Sequence, residues 1–180
     1  MKVLDEQALR EKLAEKSGRK IPESKAGGQN KQEAGKALHQ YFLSLLARRE
    51  YSRQELKNKA KVKGFNSDLV EQIIEEFVRE NLQSDGRFCE MLIRSRIIKE
   101  SGPFKIRMEL KQKGVEDSVI ENAISEADCD WFEMAKSAAS KKTSNWKSKD
   151  AAHKAKLMRF LQSRGFDGEQ VRFAVEECGF

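Results

Sequence analysis

Lysine and arginine recur in three clusters along this chain of 180 residues, and an acidic segment follows each cluster. Residues 48–63 hold seven basic residues against two acids, residues 94–113 also hold seven basic residues, and residues 136–164 hold nine. Such side chains bind phosphates by neutralising their charge and releasing counterions. Although the net charge is only +6, clusters brought into line would form a basic stripe that suits a regularly spaced polyanion.

The residues predicted to contact this polyanion lie on the first helix of a repeated unit, at the end of that helix, or on the second helix. A simpler cause accounts for part of the pattern, because lysine near a helix C-terminus complements the helix dipole and i,i+4 pairs add charge of their own. Arg48, Arg49, Arg94, Arg96 and Lys105 are harder to explain in that way. The predicted contact set is Arg48, Arg49, Arg53, Lys57, Arg87, Arg94, Arg96, Lys105, Arg107, Lys111, Lys142, Lys154, Lys156 and Arg159.

Three aromatic residues have basic neighbours and are candidates for stacking on a base or anchoring a protein contact. They are Tyr51, Phe104 and Trp146. The remaining phenylalanines fall mostly at helical spacings with other apolar residues, which favours core packing.

Other chemistry-bearing residues give little support to catalysis. Cys89, Cys129 and Cys178 form no CxxC pair, which favours a reducing cytoplasm over a disulfide framework. His39 and His153 lie far apart in the sequence and form no zinc pattern with the cysteines. We therefore expect a protein that is not an enzyme and that binds no cofactor and no metal.

Two further patterns are weighed and set aside. The stretch from Gly28 to Ala37 faintly resembles a phosphate-binding loop, but it has too many residues between its glycines and Ala after its lysine. The first residues lack an apolar stretch of signal-peptide length, and no later segment approaches a membrane span. These observations predict a cytoplasmic protein without a membrane partner.

A repeated glycine pattern shows which elements must position the basic residues. Gly64, Gly114 and Gly165 each follow an apolar residue by four positions and precede another apolar residue directly. This arrangement is typical of a helix that ends with glycine at C′, where the next residue folds back onto the apolar residue at C3. The spacing of about 50 residues indicates a tandem array.

Helix starts are also predictable. Ser52 with Glu55, and Ser118 with Glu121, have capping-box spacing. Asp167 is expected to cap the last helix, while Pro103 suits a first helical turn. Each unit is therefore expected to contain a helix, a turn, a capped helix, a glycine stop and a third helix.

The predicted fold class is all-α: an elongated tandem array of three three-helix repeats with a flexible N-terminal arm. We assign residues 1–35 to the arm, in which a short helix with Leu4, Leu9 and Leu13 on one face is a candidate element. Repeat 1 then covers residues 36–86, repeat 2 residues 87–128 and repeat 3 residues 129–180.

The middle repeat contains three short segments in a characteristic order: SDGRF from Ser84, SR from Ser95 and GPFKIRMELKQKGV from Gly102. Together they resemble the signature of the RecX family of recombination regulators. The stretch RREYSRQEL from Arg48 is similar to the family's first-repeat motif, and the resemblance extends over residues 36–180. The signature positions are Arg87, Phe88, Ser95, Arg96, Gly102, Pro103, Ile106, Glu109, Leu110, Lys113 and Gly114.

The resemblance implies a monomeric regulator that binds the RecA recombinase, chiefly as the filament on single-stranded DNA, and restrains its ATPase and strand-exchange activities. Double-stranded DNA is a further candidate partner. The alternative is an autonomous DNA-binding protein whose tandem units read duplex grooves as helix-turn-helix modules do. The second helices favour the regulator, because they share basic character but no common set of base-reading residues near their starts. A structural adaptor without nucleic-acid contact is a third reading.

Overall fold

The structure is a computed structural model that describes residues 29–180, and the greater part of the predicted N-terminal arm, residues 1–28, lies outside the described residues. The described part contains nine helices and no strand. In chain order the helices are α1 Gln29–Leu46, α2 Arg53–Val62, α3 Ser67–Arg79, α4 Asp85–Ile97, α5 Pro103–Gln112, α6 Asp117–Ser125, α7 Trp131–Thr143, α8 Ala151–Arg164 and α9 Gly168–Glu177.

Three consecutive helices form each repeat, and each repeat buries an apolar core of its own. In α3, for example, Val70, Ile73, Ile74 and Phe77 recur at helical spacing and face the first core. The second helix supplies two fully buried residues one turn apart to every core. These pairs are Leu56 and Ala60, Ile106 and Leu110, and Leu157 and Leu161.

The all-α class and the three helical repeats are thus confirmed. The first helix begins earlier than predicted, at Gln29 instead of near Lys36. Gly35 lies inside it, so one glycine, which costs a helix about 1 kcal/mol relative to alanine, does not end the element there. In the last repeat, residues 144–150 separate α7 from α8.

The glycine stops have the predicted geometry. The φ angles of Gly64, Gly114 and Gly165 are 80°, 73° and 87°, in the left-handed region that favours glycine. Beyond each glycine, the next amide donates to the C3 carbonyl, as Val115 does to Leu110 at 3.2 Å.

Three of the four predicted helix starts are confirmed in outline. Asp167 forms a full capping box with Gln170, and Pro103 occupies the first turn of α5. Ser52 accepts a hydrogen bond from the amide of Glu55, although the Glu55 carboxylate turns elsewhere. The predicted capping box at Ser118 is wrong, since α6 begins at Asp117, two residues before the start that the box requires.

Glu116 is the residue before α6, and it makes no side-chain cap. The hydroxyl of Ser118 instead donates to the Glu116 carboxylate at 3.0 Å. The Glu121 carboxylate, which a box would need, is held by Arg107.

The second helices of neighbouring repeats meet end to end. At the contact between repeats 2 and 3, called junction 2/3, the amides of Gly102 and Phe104 donate to the carbonyls of Arg164 and Gly165 at 2.8 and 3.1 Å. The first turn of α5 therefore covers the last turn of α8.

The contact between repeats 1 and 2, called junction 1/2, has the same form. The Ser52 hydroxyl donates to the carbonyl of Lys113 at 2.7 Å. The first turn of α2 therefore covers the end of α5, so that α8, α5 and α2 follow one another head to tail.

Candidate partner-binding surface

Four cations of the predicted contact set pair with carboxylates inside their own repeat. Arg96 holds Glu109 with two hydrogen bonds, one of them 2.6 Å long. Arg107 binds Glu121 in the same two-pronged way, with one bond of 2.9 Å. The other pairs are Lys57 with Glu71 and Lys111 with Asp117, at 2.7 and 2.9 Å. These pairs join helices within repeats 1 and 2.

The bidentate pairs also move the carboxylate pKa values. Hydrogen bonds from Arg96 hold the pKa of Glu109 below its usual value, against the opposing effect of burial. Hydrogen bonds from Arg107 lower the pKa of Glu121 in the same way. Both carboxylates are therefore charged at neutral pH and keep their arginines engaged.

Two further arginines of the contact set bind carboxylates near junction 1/2. Arg87 donates to the Glu50 carboxylate at 2.7 Å and to the side chain of Asn81 at 2.7 Å. It also binds the carbonyls of Asn81 and Leu82, which ties the α3–α4 loop to the exit of α1. Arg49 lies 3.6 Å from the centre of the Tyr51 ring and pairs with Glu55.

The signature residues around Arg87 contact other parts of the fold, which indicates a structural role. Ser84 caps α4, and the carboxylate of Asp85, the first residue of α4, accepts from the amide of Arg53 at the start of α2 at 2.9 Å. Buried Gln83 donates to Asp85 and to the carbonyl of Tyr51. Phe88, Ile106 and Leu110 are buried in the second core, Gly102 and Pro103 are buried at junction 2/3, and Ser95 accepts from Arg96.

The rest of the contact set has no strong carboxylate partner among residues 29–180. Arg94 makes a single 3.3 Å contact with Glu90 on the same exposed helix face, which is worth little. The others have no carboxylate within ion-pair distance in the described part of the chain. They are Arg48, Arg53, Lys105, Lys142, Lys154, Lys156 and Arg159.

Cations without a carboxylate partner among residues 29–180 lie at junction 2/3. Lys105 packs closely against Gly165, since a Cβ atom built on Gly165 would lie 2.4 Å from the Cβ atom of Lys105. Arg164 donates to the carbonyl of Lys99 at 2.6 Å, and its guanidinium lies 5.2 Å from the Phe160 ring. The Lys142 ammonium approaches the same ring at 5.1 Å. Four basic residues thus meet here, Lys99 through its backbone carbonyl, and they are called the junction 2/3 cluster: Lys99, Lys105, Lys142 and Arg164.

Two members of this cluster, Lys99 and Arg164, are absent from the contact set predicted from the sequence. From the sequence, Arg164 is interpreted only as a cation that complements a helix C-terminus. The signal that could have identified it is position, because the residue directly before the glycine stop is basic in all three repeats: Lys63, Lys113 and Arg164.

The three candidate aromatic residues differ in what they leave free. Tyr51 is buried, and Arg49 covers its ring. Trp146 is half-buried against His153 and Phe180, with ring centres 4.9 and 6.0 Å apart. Phe104 is 58% exposed on α5, one turn before the exposed Met108, so it alone of the three presents most of its side chain to a partner.

Burial disfavours the thiolate form of two cysteines, Cys89 and Cys129. Burial raises the pKa of Cys89 to about 11, and the nearby carboxylates of Asp85 and Glu90 add to the shift. Burial likewise raises the pKa of Cys129. Within residues 29–180 no group of His, Cys, Asp and Glu has the arrangement of a metal site. Nor is any helix in that range long and apolar enough to cross a bilayer.

Repeated three-helix units joined end to end through their second helices define a tandem helical-repeat protein. Family models place the same three units on the sequence in order: the first, second and third three-helix domains of RecX match residues 39–77, 84–124 and 128–175. This chain therefore belongs to the RecX family.

Curated relatives agree with this assignment. The Regulatory protein RecX of Vibrio vulnificus (strain CMCP6) is 42% identical over 135 residues, which is 75% of this chain and 88% of the relative. The Regulatory protein RecX of Halorhodospira halophila (strain DSM 244 / SL1) is 36% identical over 142 residues, with 79% and 88% covered.

Solved structures show the same fold. A crystal structure of RecX from Lactobacillus salivarius superposes with a TM-score of 0.73 at 21% identity, over 81% of this chain and 97% of that one. A crystal structure of regulatory protein RecX gives a TM-score of 0.74 at 19% identity, over 94% of this chain and 85% of the other.

Proposed function

We propose that this chain binds the RecA recombinase, chiefly as its filament on single-stranded DNA, and restrains its ATPase and strand-exchange activities in DNA repair and recombination. It acts as a cytoplasmic monomer and without catalysis of its own. The proposal rests on membership of a family of regulatory proteins and on the junction 2/3 cluster, whose cations have no carboxylate partner among residues 29–180.

The cluster supports binding to an anionic partner for an energetic reason. A lysine that already pairs with a carboxylate must give up that contact before it can bind a phosphate or an acidic side chain, whereas Lys105 and Lys142 have none to lose. Exposed cations of this kind raise association rates and neutralise phosphates directly.

The structure disfavours an autonomous helix-turn-helix reader. Such a reader offers the start of a helix to base edges in the major groove. In repeats 1 and 2 the starts of the second helices, α2 and α5, are occupied by the ends of α5 and α8, so among residues 29–180 only α8 has a second-helix start that no such contact covers. The third helix α3 is the other candidate, but it presents Glu71, Glu75 and Glu76, which phosphates would repel.

A charge-reversal pair of variants tests the proposal. The test variant carries Lys99→Glu, Lys105→Glu and Lys142→Glu, and it leaves Arg164 with its carbonyl bond. The control variant carries Lys36→Glu, Arg79→Glu and Arg172→Glu, which are exposed and change the net charge equally. We expect the test variant alone to lose at least tenfold in inhibition of RecA ATP hydrolysis on single-stranded DNA.

Circular dichroism must show that both variants fold. Equal inhibition by the parent chain and both variants would remove the cluster from the contact surface. Absence of inhibition and of filament binding by the parent chain would overturn the proposed function itself.

A further inference from the structure

The row of second helices has one end that carries no neighbour in the described part of the chain. Gly165 is covered by Lys105 of α5, and Gly114 is covered by Gln54 of α2. Gly64 ends α2 with the same left-handed φ, yet no described residue lies within 4 Å of a Cβ atom built on it. The helix ends at Gly165 and Gly114 are thus covered by another second helix, whereas the equivalent end at Gly64 is uncovered among the described residues.

The last backbone carbonyls at this end of α2 also lack the hydrogen bonds that form at the two junctions, as far as the described residues show. At the two junctions, the carbonyl directly before the glycine accepts a bond from the N-cap residue of the arriving helix: Lys113 from the Ser52 hydroxyl and Arg164 from the Gly102 amide. The carbonyls of Lys63 and Gly64 accept no hydrogen bond from the described residues. Beside them, the side chain of Val62 is 88% exposed.

The charges at this end suit a particular occupant. Lys59, Lys61 and Lys63 have no carboxylate within ion-pair distance among residues 29–180. At junction 1/2, the equivalent Lys113 binds Glu55 in the first turn of α2 at 2.9 Å. The start of a helix provides what the open end lacks, since its first amides are free donors and acids are favoured in its first turn.

We infer that the open end of α2, formed by Lys61, Val62, Lys63 and Gly64, binds the first turn of a helix on the protein partner. That helix carries a small or hydroxyl-bearing residue at its N-cap and an acid in its first turn. The inference rests on the proposed function, because the partner is the recombinase. It names the contact by which the array of repeats continues onto another protein.

Nucleic acid is a poorer occupant of this end. Phosphates have no donors for the two carbonyls, and a helix C-terminus carries partial negative charge that disfavours anions. A second copy of this chain is also a poorer occupant. Its free second-helix start, at α8, lies among Lys147, Lys149, Lys154 and Lys156 with Asp150 as the neighbouring acid, so two basic ends would face each other.

The test uses the full chain with Gly64→Asn. Asparagine tolerates the left-handed conformation, so the fold is retained, while its side chain occupies the space that an arriving helix would need. Gly179→Asn is the matched control, because Gly179 has a φ of 76° and the nearest atom to a Cβ placed on it is the flexible Lys149 ammonium. A second test variant, Lys63→Glu, reverses the charge that faces the acid.

We expect both test variants to bind RecA filaments on single-stranded DNA at least tenfold more weakly than the parent, and to bind bare single-stranded DNA equally well. Gly179→Asn should match the parent in both measurements. Melting curves check the fold, and Lys63→Glu keeps the test decisive if Gly64→Asn proves unstable.

Four results would overturn the inference. Parent-like filament binding by a folded test variant would refute it and leave the proposed function intact. Equal losses on filament and bare DNA would make nucleic acid the occupant. Self-association of the parent in sedimentation, abolished by Gly64→Asn, would make it a second copy. Failure of the parent to bind filaments at all would refute the proposed function, and the inference with it.

Discussion

Junctions 1/2 and 2/3 bring together the same two surfaces with different chemistry. Counted back from the glycine stop, Glu55 in repeat 1 and Lys105 in repeat 2 occupy the same position. Glu55 binds Lys113 and Arg49, which neutralises the cations at its junction. Lys105 faces the repeat that carries Arg164, and Arg164 turns to a backbone carbonyl instead.

The comparison shows that one residue decides whether a junction is closed by charge or left basic. Junction 1/2 relies on side chains: the Ser52 hydroxyl, the Glu55 carboxylate and Gln54 against Gly114. At junction 2/3 the second helices rely on backbone hydrogen bonds and on the absence of a side chain at Gly102. A flanking pair, Glu100 with Lys141, adds an exposed contact there.

The largest effect is expected from Gly165→Ala. The new Cβ atom would lie 2.5 Å from the backbone nitrogen of Lys105, and the left-handed φ adds strain. We expect a loss of about 3 to 4 kcal/mol in the free energy of unfolding, measured by urea unfolding. Gly168→Ala, with open space around it, is the control. A loss no larger than that of Gly64→Ala would show that the backbone contact at junction 2/3 yields easily.

Gly114→Ala should cost less, about 2 kcal/mol. Its Cβ atom would meet the Cβ and Cγ atoms of Gln54 at 2.6 and 2.8 Å, which belong to an exposed side chain. A double-mutant cycle with Gln54→Gly measures the clash directly. Additive losses would show that the two residues do not meet in solution.

Glu55→Gln should cost about 1.5 kcal/mol at neutral pH, since two charge-assisted hydrogen bonds are weakened. Burial raises the pKa of Glu55, but the bonds from Arg49 and Lys113 outweigh it, so the pKa is lowered from 4.5. The stabilisation is therefore present above that value and is lost as the pH falls below it.

Urea unfolding of parent and variant at neutral pH and at about pH 3 tests this, because the difference should shrink in acid. Lys105→Gln is the control at the equivalent position and should change stability little. If the difference persists at low pH, the charge of Glu55 is not what stabilises junction 1/2.

The smallest effect is expected from Gly64→Ala. Only the left-handed φ opposes the substitution, because the space around Gly64 is open, so the loss should be about 1 kcal/mol. The urea midpoint measures it beside those of Gly114→Ala and Gly165→Ala. Equal losses at all three glycines would mean that the conformation, and not the junctions, sets the cost.

Local patterns predicted most of the fold. The glycine stops and the caps at Ser52 and Asp167 depend on neighbours within five residues, which the sequence displays directly. The error at Ser118 has the same local origin, since Glu116 and Ser118 both precede the apolar residues of α6 and spacing alone does not choose which of them is the N-cap. The start of α1 was missed because Gly35 suggested a boundary.

The pairing of cations was not predicted, because their partners lie on other helices. Lys57 and Glu71 lie on successive helices, as do Arg107 and Glu121. The i,i+4 rule applies within one helix and therefore does not connect them. A signal was nevertheless present: both pairs occupy the same positions relative to their glycine stops. The junctions were harder still, since each glycine is already explained by its own helix end and gives no sign that another repeat covers it.

The head-to-tail order of α8, α5 and α2 gives the row of second helices two different ends. No rotation exchanges its two ends, because one end offers a helix start and the other a helix stop. Turned around on a partner, the chain would present different groups to every contact. A nucleic-acid strand also has direction, as does any filament wound along it, so binding to such a partner selects one orientation of this protein over its reverse.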